Sequence, residues 1–130
     1  MADQFLKQCL LVGAGGSLGA VARFLLNTWV TGRYAPRFPW ATFGINISGS
    51  FLLGLLMTLF LARIVSDPWR LFLMVGFLGA YTTFSTFEYE SARLGVSWAA
   101  LGNIVGSVVA GYGAVWLGIR LGQVWPPVGH

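Results

Sequence analysis

Between Gly76 and Phe87 the chain reads Gly-Phe-Leu-Gly-Ala-Tyr-Thr-Thr-Phe-Ser-Thr-Phe. The hydroxyls of Thr82, Thr83, Ser85 and Thr86 alternate there with the rings of Tyr81, Phe84 and Phe87. The run sits inside an apolar segment of membrane-spanning length, and its glycines and Thr/Ser cluster interrupt the helical pattern. Lipid satisfies no backbone N–H or C=O, so irregular backbone at membrane depth must be buried in protein or line a polar cavity. The interruption is therefore a candidate ion or substrate site. Phe84 and Phe87 are three apart and share a helical face. Phenylalanine in a membrane is ordinarily packing. Interleaved with hydroxyls it has a second use, because an aromatic ring is positive at its edge. Ring edges alternating with hydroxyl and amide donors would meet a small anion without a fixed charge that traps it. Conduction requires sites that also release what they bind.

Other polar residues interrupt the apolar segments. Asn46 lies in Phe-Gly-Ile-Asn-Ile-Ser-Gly-Ser, and Asn103, Ser107 and Gly111 follow one another at spacings of four. A buried polar group in lipid must be hydrogen-bonded, so each reads equally as a clasp between helices. Three polar sets in one small chain favour a pore. There is no buried His, no Ser/His/Asp set and no metal motif, so the residues suggest no enzyme. Cys9 is the single cysteine; it allows no intrachain disulfide and reads as a small apolar helix residue.

The elements that must position these residues are membrane helices. The chain has 130 residues, 56% hydrophobic and 9% charged, with mean hydropathy +0.72. Charged residues make up about a quarter of an ordinary soluble domain, so this is one compact integral membrane domain, 1–122, with a short tail, 123–130. Apolar segments at about 5–30, 40–62, 69–94 and 96–119 each reach the roughly 20 residues a span requires, the second and fourth without any charge. Arg23 lies in the first, and Glu88 and Glu90 in the third; ionisable residues inside spans are functional candidates. Connections are short, with Asp67 placed to cap the third helix and a turn near Gly95. Trp29, Trp40, Trp69, Trp98 and Trp116 fall near segment ends, where aromatic belts form. The tail is expected to be poorly ordered and His130 to have no role. A signal peptide is the alternative for the first segment, with Ala20-Val21-Ala22 as its cleavage site, but Gly13, Gly15, Gly16 and Gly19 suit a packing face better.

Net charge is +4, and the eight Lys and Arg residues are scattered. They form no basic stripe, which argues against nucleic-acid binding. Four spans would place Lys7, Arg63, Arg70 and Arg120 on one side and Arg33, Arg37 and Arg93 on the other. Orientation follows a Lys/Arg excess, and here there is almost none. Either the chain inserts both ways round and pairs as an inverted homodimer, or one arginine lies at another depth and a single topology exists. Small residues four apart (Gly102, Gly106, Ala110, Ala114, Gly118; Gly15, Gly19; Ser50, Gly54) permit close helix approach, between subunits or within one.

The run Gly79–Phe87, with Asn46 upstream and Arg23 in Gly-Ala-Val-Ala-Arg, resembles the Fluc (CrcB-type) fluoride channel family over nearly the whole chain. The resemblance implies an all-helical protein with four transmembrane helices per subunit, the third broken, paired as an antiparallel, dual-topology homodimer. It implies two fluoride pores and a central structural Na⁺ at the dimer interface. By position, the Gly79 and Thr82 carbonyls match the sodium donors and Phe84 and Phe87 the phenylalanine boxes. Asn46 matches the pore asparagine, Ser107 a fourth-helix serine on the fluoride path and Arg23 the vestibule arginine. Thr83 and Asn103 join the expected pathway. Two departures stand out: Glu88 stands where many relatives have serine, and Asn103 where some have histidine. Arg23 would concentrate anions at a vestibule, or else snorkel from a span end.

The reading is a passive fluoride channel of the plasma membrane (the inner membrane if Gram-negative), which exports fluoride and so relieves its toxicity. The alternative is a small four-helix dual-topology multidrug or cation exporter. Such exporters resemble one another in a carboxylate near the midpoint of the first helix, where this chain has Arg23. A structural subunit of a larger complex is a third class.

Overall fold

The computed structural model describes residues 1–34 and 37–125. These are arranged as four long helical spans. Helix α1 is Ala2–Arg33 and α2 is Trp40–Leu61. The third span, Asp67–Arg93, opens with α3 (Asp67–Trp69), widens into a π-helical stretch (Arg70–Leu78) and continues through α4 (Gly79–Tyr81) and α5 (Phe84–Arg93). Helix α6, Trp98–Gln123, is the fourth. All four are long and apolar enough to cross a bilayer.

The ends depart from the apolar segments for local reasons. Helix α1 begins before residue 5 and runs past 30 to Arg33, whose guanidinium lies 4.8 Å from the centroid of Trp29, one turn back. Helix α6 runs past 119 because Arg120 stacks on Trp116 in the same way, at 4.8 Å, so Gln123 is helical and not the start of a tail. The fourth helix starts at Trp98 and not at 96, because the Ser97 hydroxyl accepts the Ala100 N–H at 3.1 Å. Gly95, at φ +63°, turns the chain just before it. Asp67 is not the cap of the third span. Ser66 holds that position without a side-chain bond, and Asp67 is the first helical residue, accepting from Arg70 Nε at 2.8 Å. Pro68 beside it needs no N–H in a first turn. Ala35, Pro36 and the tail residues 126–130, including His130, lie outside the described residues.

The third span is the innermost: 39% of its apolar window is buried, against 11% in α1 and 6% in α6. Helix α1 packs along the π-helical stretch and α4, while α2 packs against both the third span and α6. Ile45, Leu78 and Tyr81 form the buried centre, flanked by Ala22, Leu56 and Phe77. Several small residues serve contacts within the subunit. Gly15 and Gly19 lie on the carbonyls of Phe72 and Phe77, Gly54 on that of Val115 and Gly118 on that of Phe51, each too close to admit a Cβ. Gly102 faces open space.

Candidate functional site at the third-span interruption

Regular helix stops at Tyr81 and resumes at Phe84. Between them Thr82 (φ −77°, ψ 156°) and Thr83 (φ −150°, ψ 120°) are extended. The chain holds this stretch with side chains. Asn46 Oδ1 accepts the Thr83 N–H at 2.8 Å, and Asn46 Nδ2 donates to the Thr83 carbonyl at 2.9 Å. Thr83 caps α5, its hydroxyl oxygen accepting the Thr86 N–H at 3.3 Å. In an unbroken helix the N–H groups of Thr83 and Thr86 would close onto the carbonyls of Gly79 and Thr82, four residues earlier. Both N–H groups are diverted, so those two carbonyls lose their helical donors.

Helix α2 reaches the interruption because Gly49, one turn after Asn46, lies against the Thr82 methyl and the Tyr81 ring with no room for a Cβ. Tyr81 is 7% exposed and stacks on Phe77 at 5.7 Å. Its hydroxyl lies 2.9 Å from Ser48 Oγ, which spends its one proton on the Ile45 carbonyl at 3.0 Å. Tyr81 is therefore the donor of that pair.

Downstream, the Phe84 and Phe87 rings lie 5.9 Å apart on α5. Within one subunit their surroundings differ: Phe87 is 7% exposed and Phe84 74%. Asn103 is fully enclosed in a side-chain chain that ends on Phe87. Ser107 Oγ donates to Asn103 Oδ1 at 3.3 Å, Asn103 Nδ2 to Ser91 Oγ at 2.9 Å, and Ser91 Oγ to the Phe87 carbonyl at 2.8 Å.

Two cavities meet at Thr83. One, of about 290 Å³, is lined by Asn46, Gly49, Ser50, Gly79, Thr82, Thr83 and Phe84, with Leu53, Met74 and Leu78. The other, of about 280 Å³, is lined by Arg23, Asn27, Thr42, Thr83 and Thr86, with Ala20, Phe24 and Ile45. Of the sequence-derived residues, Gly79, Thr82, Asn46, Thr83 and Phe84 thus share one cavity, and Arg23 faces Thr83 from the next. Ser107 and Asn103 line neither; they reach the site through Ser91 and the Phe87 backbone. Among the described residues no group of His, Cys, Asp and Glu could hold a metal ion, so a cation here has carbonyls and hydroxyls to choose from. The cavities offer hydroxyl, amide and guanidinium donors, suited to a small anion.

The profile of the family described as CrcB-like protein, Camphor Resistance (CrcB), matches residues 10–119. The chain belongs to the CrcB family. A Solibacter usitatus protein named fluoride-specific ion channel FluC is 50% identical over 118 residues, covering 88% of this chain and 97% of that one. Proteins of the same name from Acidobacterium capsulatum and Thermus thermophilus are 46% and 44% identical, over 118 and 119 residues. The first covers 88% of this chain and 94% of its own, the second 89% and 94%. Family and helices together make the chain a multi-pass membrane protein.

Three residues of this CrcB chain act at the site although sequence reasoning assigned them nothing. Tyr81 and Ser48 brace the α2 side, and Ser91 links Asn103 to Phe87. Tyr81 stands within the signature run, but a buried tyrosine in a span also reads as packing. Ser91 carries a signal only once Asn103 is known to face it.

Proposed function

We propose that this CrcB protein is a fluoride-selective channel through which fluoride leaves the cytoplasm passively, relieving its toxicity. The observation that carries the reading is the interruption at Thr82–Thr83, held open by Asn46 between two donor-lined cavities. Relatives that bear the name of fluoride-specific channels, similar over nearly their whole length, support it. Helices alone satisfy their backbone in lipid; an interruption exposes groups that can solvate an ion. Fluoride would be met by the second N–H of Asn46 and by the ring edges of Phe84 and Phe87; the Thr83 and Ser107 hydroxyls, which donate to Thr86 Oγ1 and Asn103 Oδ1, would join the path only by turning from those partners. Arg23 would raise the local anion concentration before it. Asn103 would act on this path through its hold on Phe87.

The working unit would be an antiparallel homodimer in the plasma membrane (the inner membrane of a Gram-negative cell), carrying two pores. The exposed Phe84 and Leu53 beside the larger cavity support such pairing. A structural Na⁺ would sit between the subunits, held by the carbonyls of Gly79 and Thr82. The diversion of both helical donors suits that role, because two such carbonyls from each of two subunits offer a hard cation a shell of oxygens. When bound, the ion supplies a fixed positive charge that offsets the cost of bringing fluoride into low dielectric. Bulky residues at Gly79 should therefore damage assembly, whereas Thr82→Ser should be mild.

Purified protein in liposomes, with released fluoride read by an ion electrode, tests the function. Fast fluoride efflux without chloride efflux is expected; equal efflux of both, or none, overturns it. A Val124→Cys label on a Cys9→Ser background tests the topology. Modification from both faces of sealed vesicles is expected, and modification from one face only rules out the inverted pair.

A further inference from the structure

Helix α2 is tied to the third span at two points, one on each side of Thr82. After Thr82, the Asn46 amide holds the N–H and C=O of Thr83. Before it, the Tyr81 hydroxyl donates to Ser48 Oγ at 2.9 Å, and Ser48 donates in turn to the Ile45 carbonyl at 3.0 Å. Tyr81 thus grips the α2 main chain through one serine. At about 100° per residue, Asn46 and Ser48 stand roughly 160° apart around α2, measured through Gly49. Gly49 and Ile45 occupy the arc between them. Gly49 lies on the Tyr81 ring and the Thr82 methyl with no room for a Cβ, and Ile45 joins Tyr81 and Leu78 in the buried centre. Apolar burial is non-directional, so this contact resists separation but not rolling. The bonds at its two edges resist rolling. Either alone leaves α2 free to turn about it; both together do not.

We propose that the Tyr81–Ser48 bond is a positioning device: it sets the rotation of α2 about its axis and so aims the second N–H of Asn46 into the larger cavity. Asn46 lines that cavity, and its grip on Thr83 fixes the plane of its amide. Tyr81 and Ser48 line neither cavity at the interruption, so they act on an ion through Asn46. The Tyr81 ring gives the bond its direction. It is buried and stacked on Phe77 at 5.7 Å, and the Phe77 carbonyl lies against Gly19 of α1. The bearing on conduction rests on the fluoride reading given above; the rotation does not.

Tyr81→Phe keeps the ring and removes the bond. Two readouts test it on the purified protein: deuterium exchange at the Thr83 amide, whose acceptor is Asn46 Oδ1, and fluoride efflux from liposomes. We expect the Thr83 amide to exchange about three- to tenfold faster, the factor one ordinary hydrogen bond supports, with the amides of α6 at wild-type rates. Efflux should fall by a similar factor, with a wild-type size-exclusion profile. Ser48→Val and Ser48→Thr share a shape and differ in the hydroxyl. Val should reproduce Tyr81→Phe, and Thr should behave as wild type. Tyr81→Phe combined with Ser48→Val should be no worse than either alone, because both remove one interaction. Wild-type Thr83 exchange in Tyr81→Phe, or Ser48→Val indistinguishable from Ser48→Thr, overturns the positioning role. Faster exchange with wild-type efflux overturns its bearing on conduction. If Tyr81→Phe does not fold, the Ser48 pair decides by the same two readouts. Wild-type liposomes that release no fluoride overturn the fluoride reading instead, and Thr83 exchange still decides the rotation.

Discussion

Asn46 and Asn103 do opposite work with the same side chain. Asn46 spends both ends of its amide on one backbone unit, the N–H and C=O of Thr83. It replaces hydrogen bonds that a helix would have made and so maintains the interruption. Asn103, 1% exposed, is bonded only to side chains, Ser91 and Ser107, and touches the site at one remove. Asn46 faces a cavity; Asn103 is sealed in. An amide that props irregular backbone stands where an ion can pass. An amide in a closed side-chain chain fixes the angle of a helix.

The sharpest way to break this contrast is to remove each amide. Asn46→Leu leaves the Thr83 N–H and C=O unpaired, at about 1–3 kcal/mol for each group. We expect the largest loss of any single change: reduced yield of folded protein, and fluoride efflux at the liposome leak rate. Asn46→Asp keeps an acceptor for the Thr83 N–H, loses the donor and adds a negative charge. It should purify with a normal size-exclusion profile and still conduct poorly. Normal efflux from Asn46→Asp would remove Asn46 from the anion path and leave it a brace alone.

The phenylalanines extend the same comparison. Phe87→Ala should cost about 3–5 kcal/mol, as for a buried aromatic, read as a lower unfolding midpoint. Phe84→Ala should leave subunit folding within about 0.5 kcal/mol, as for surface positions, because its ring is exposed in the single subunit. Phe→Ile at either position should cut fluoride efflux while assembly survives. An assembled Phe84→Ile protein with wild-type efflux would end its pore-lining role.

Asn103→Leu should be milder than Asn46→Leu. Ser91 keeps its bond to the Phe87 carbonyl, and hydrogen bonds between membrane helices average roughly 0.6 kcal/mol. A double-mutant cycle with Ser91→Ala should recover a coupling of that order. A coupling near zero would mean that the Asn103 chain does not hold α5. Smallest is the pair of caps. Thr83→Val and Ser97→Ala should each cost about 1 kcal/mol, as for other N-caps. Only the first should alter efflux, since Thr83 lines the two cavities at the interruption and Ser97 lines neither of them.

The four spans were legible because apolar length and turn residues are local signals. Their ends were not, because Arg33 over Trp29 and Arg120 over Trp116 prolong helices beyond the apolar stretch. Asp67 had the composition of a cap, yet Ser66 holds that place; cap position depends on where the backbone leaves the helix. The signature run pointed to the interruption's neighbourhood. It did not say that Asn46, 37 positions before Thr83, would be the group that holds it.

By itself the sequence determined the lipid environment, the number of spans and the chemical kinds of donor at the centre of the third. Hydropathy summed over about 20 residues and the chemistry of each side chain need no partner to be read. The tertiary structure decided which amide meets which backbone group, and which glycines lie on carbonyls and which face open space. It also decided that Phe87 is covered within the subunit while Phe84 is not. Those outcomes depend on contacts between residues far apart in the chain. Such contacts exist only once α2 has come within hydrogen-bond reach of Thr83, an approach that Gly49 permits because it carries no Cβ.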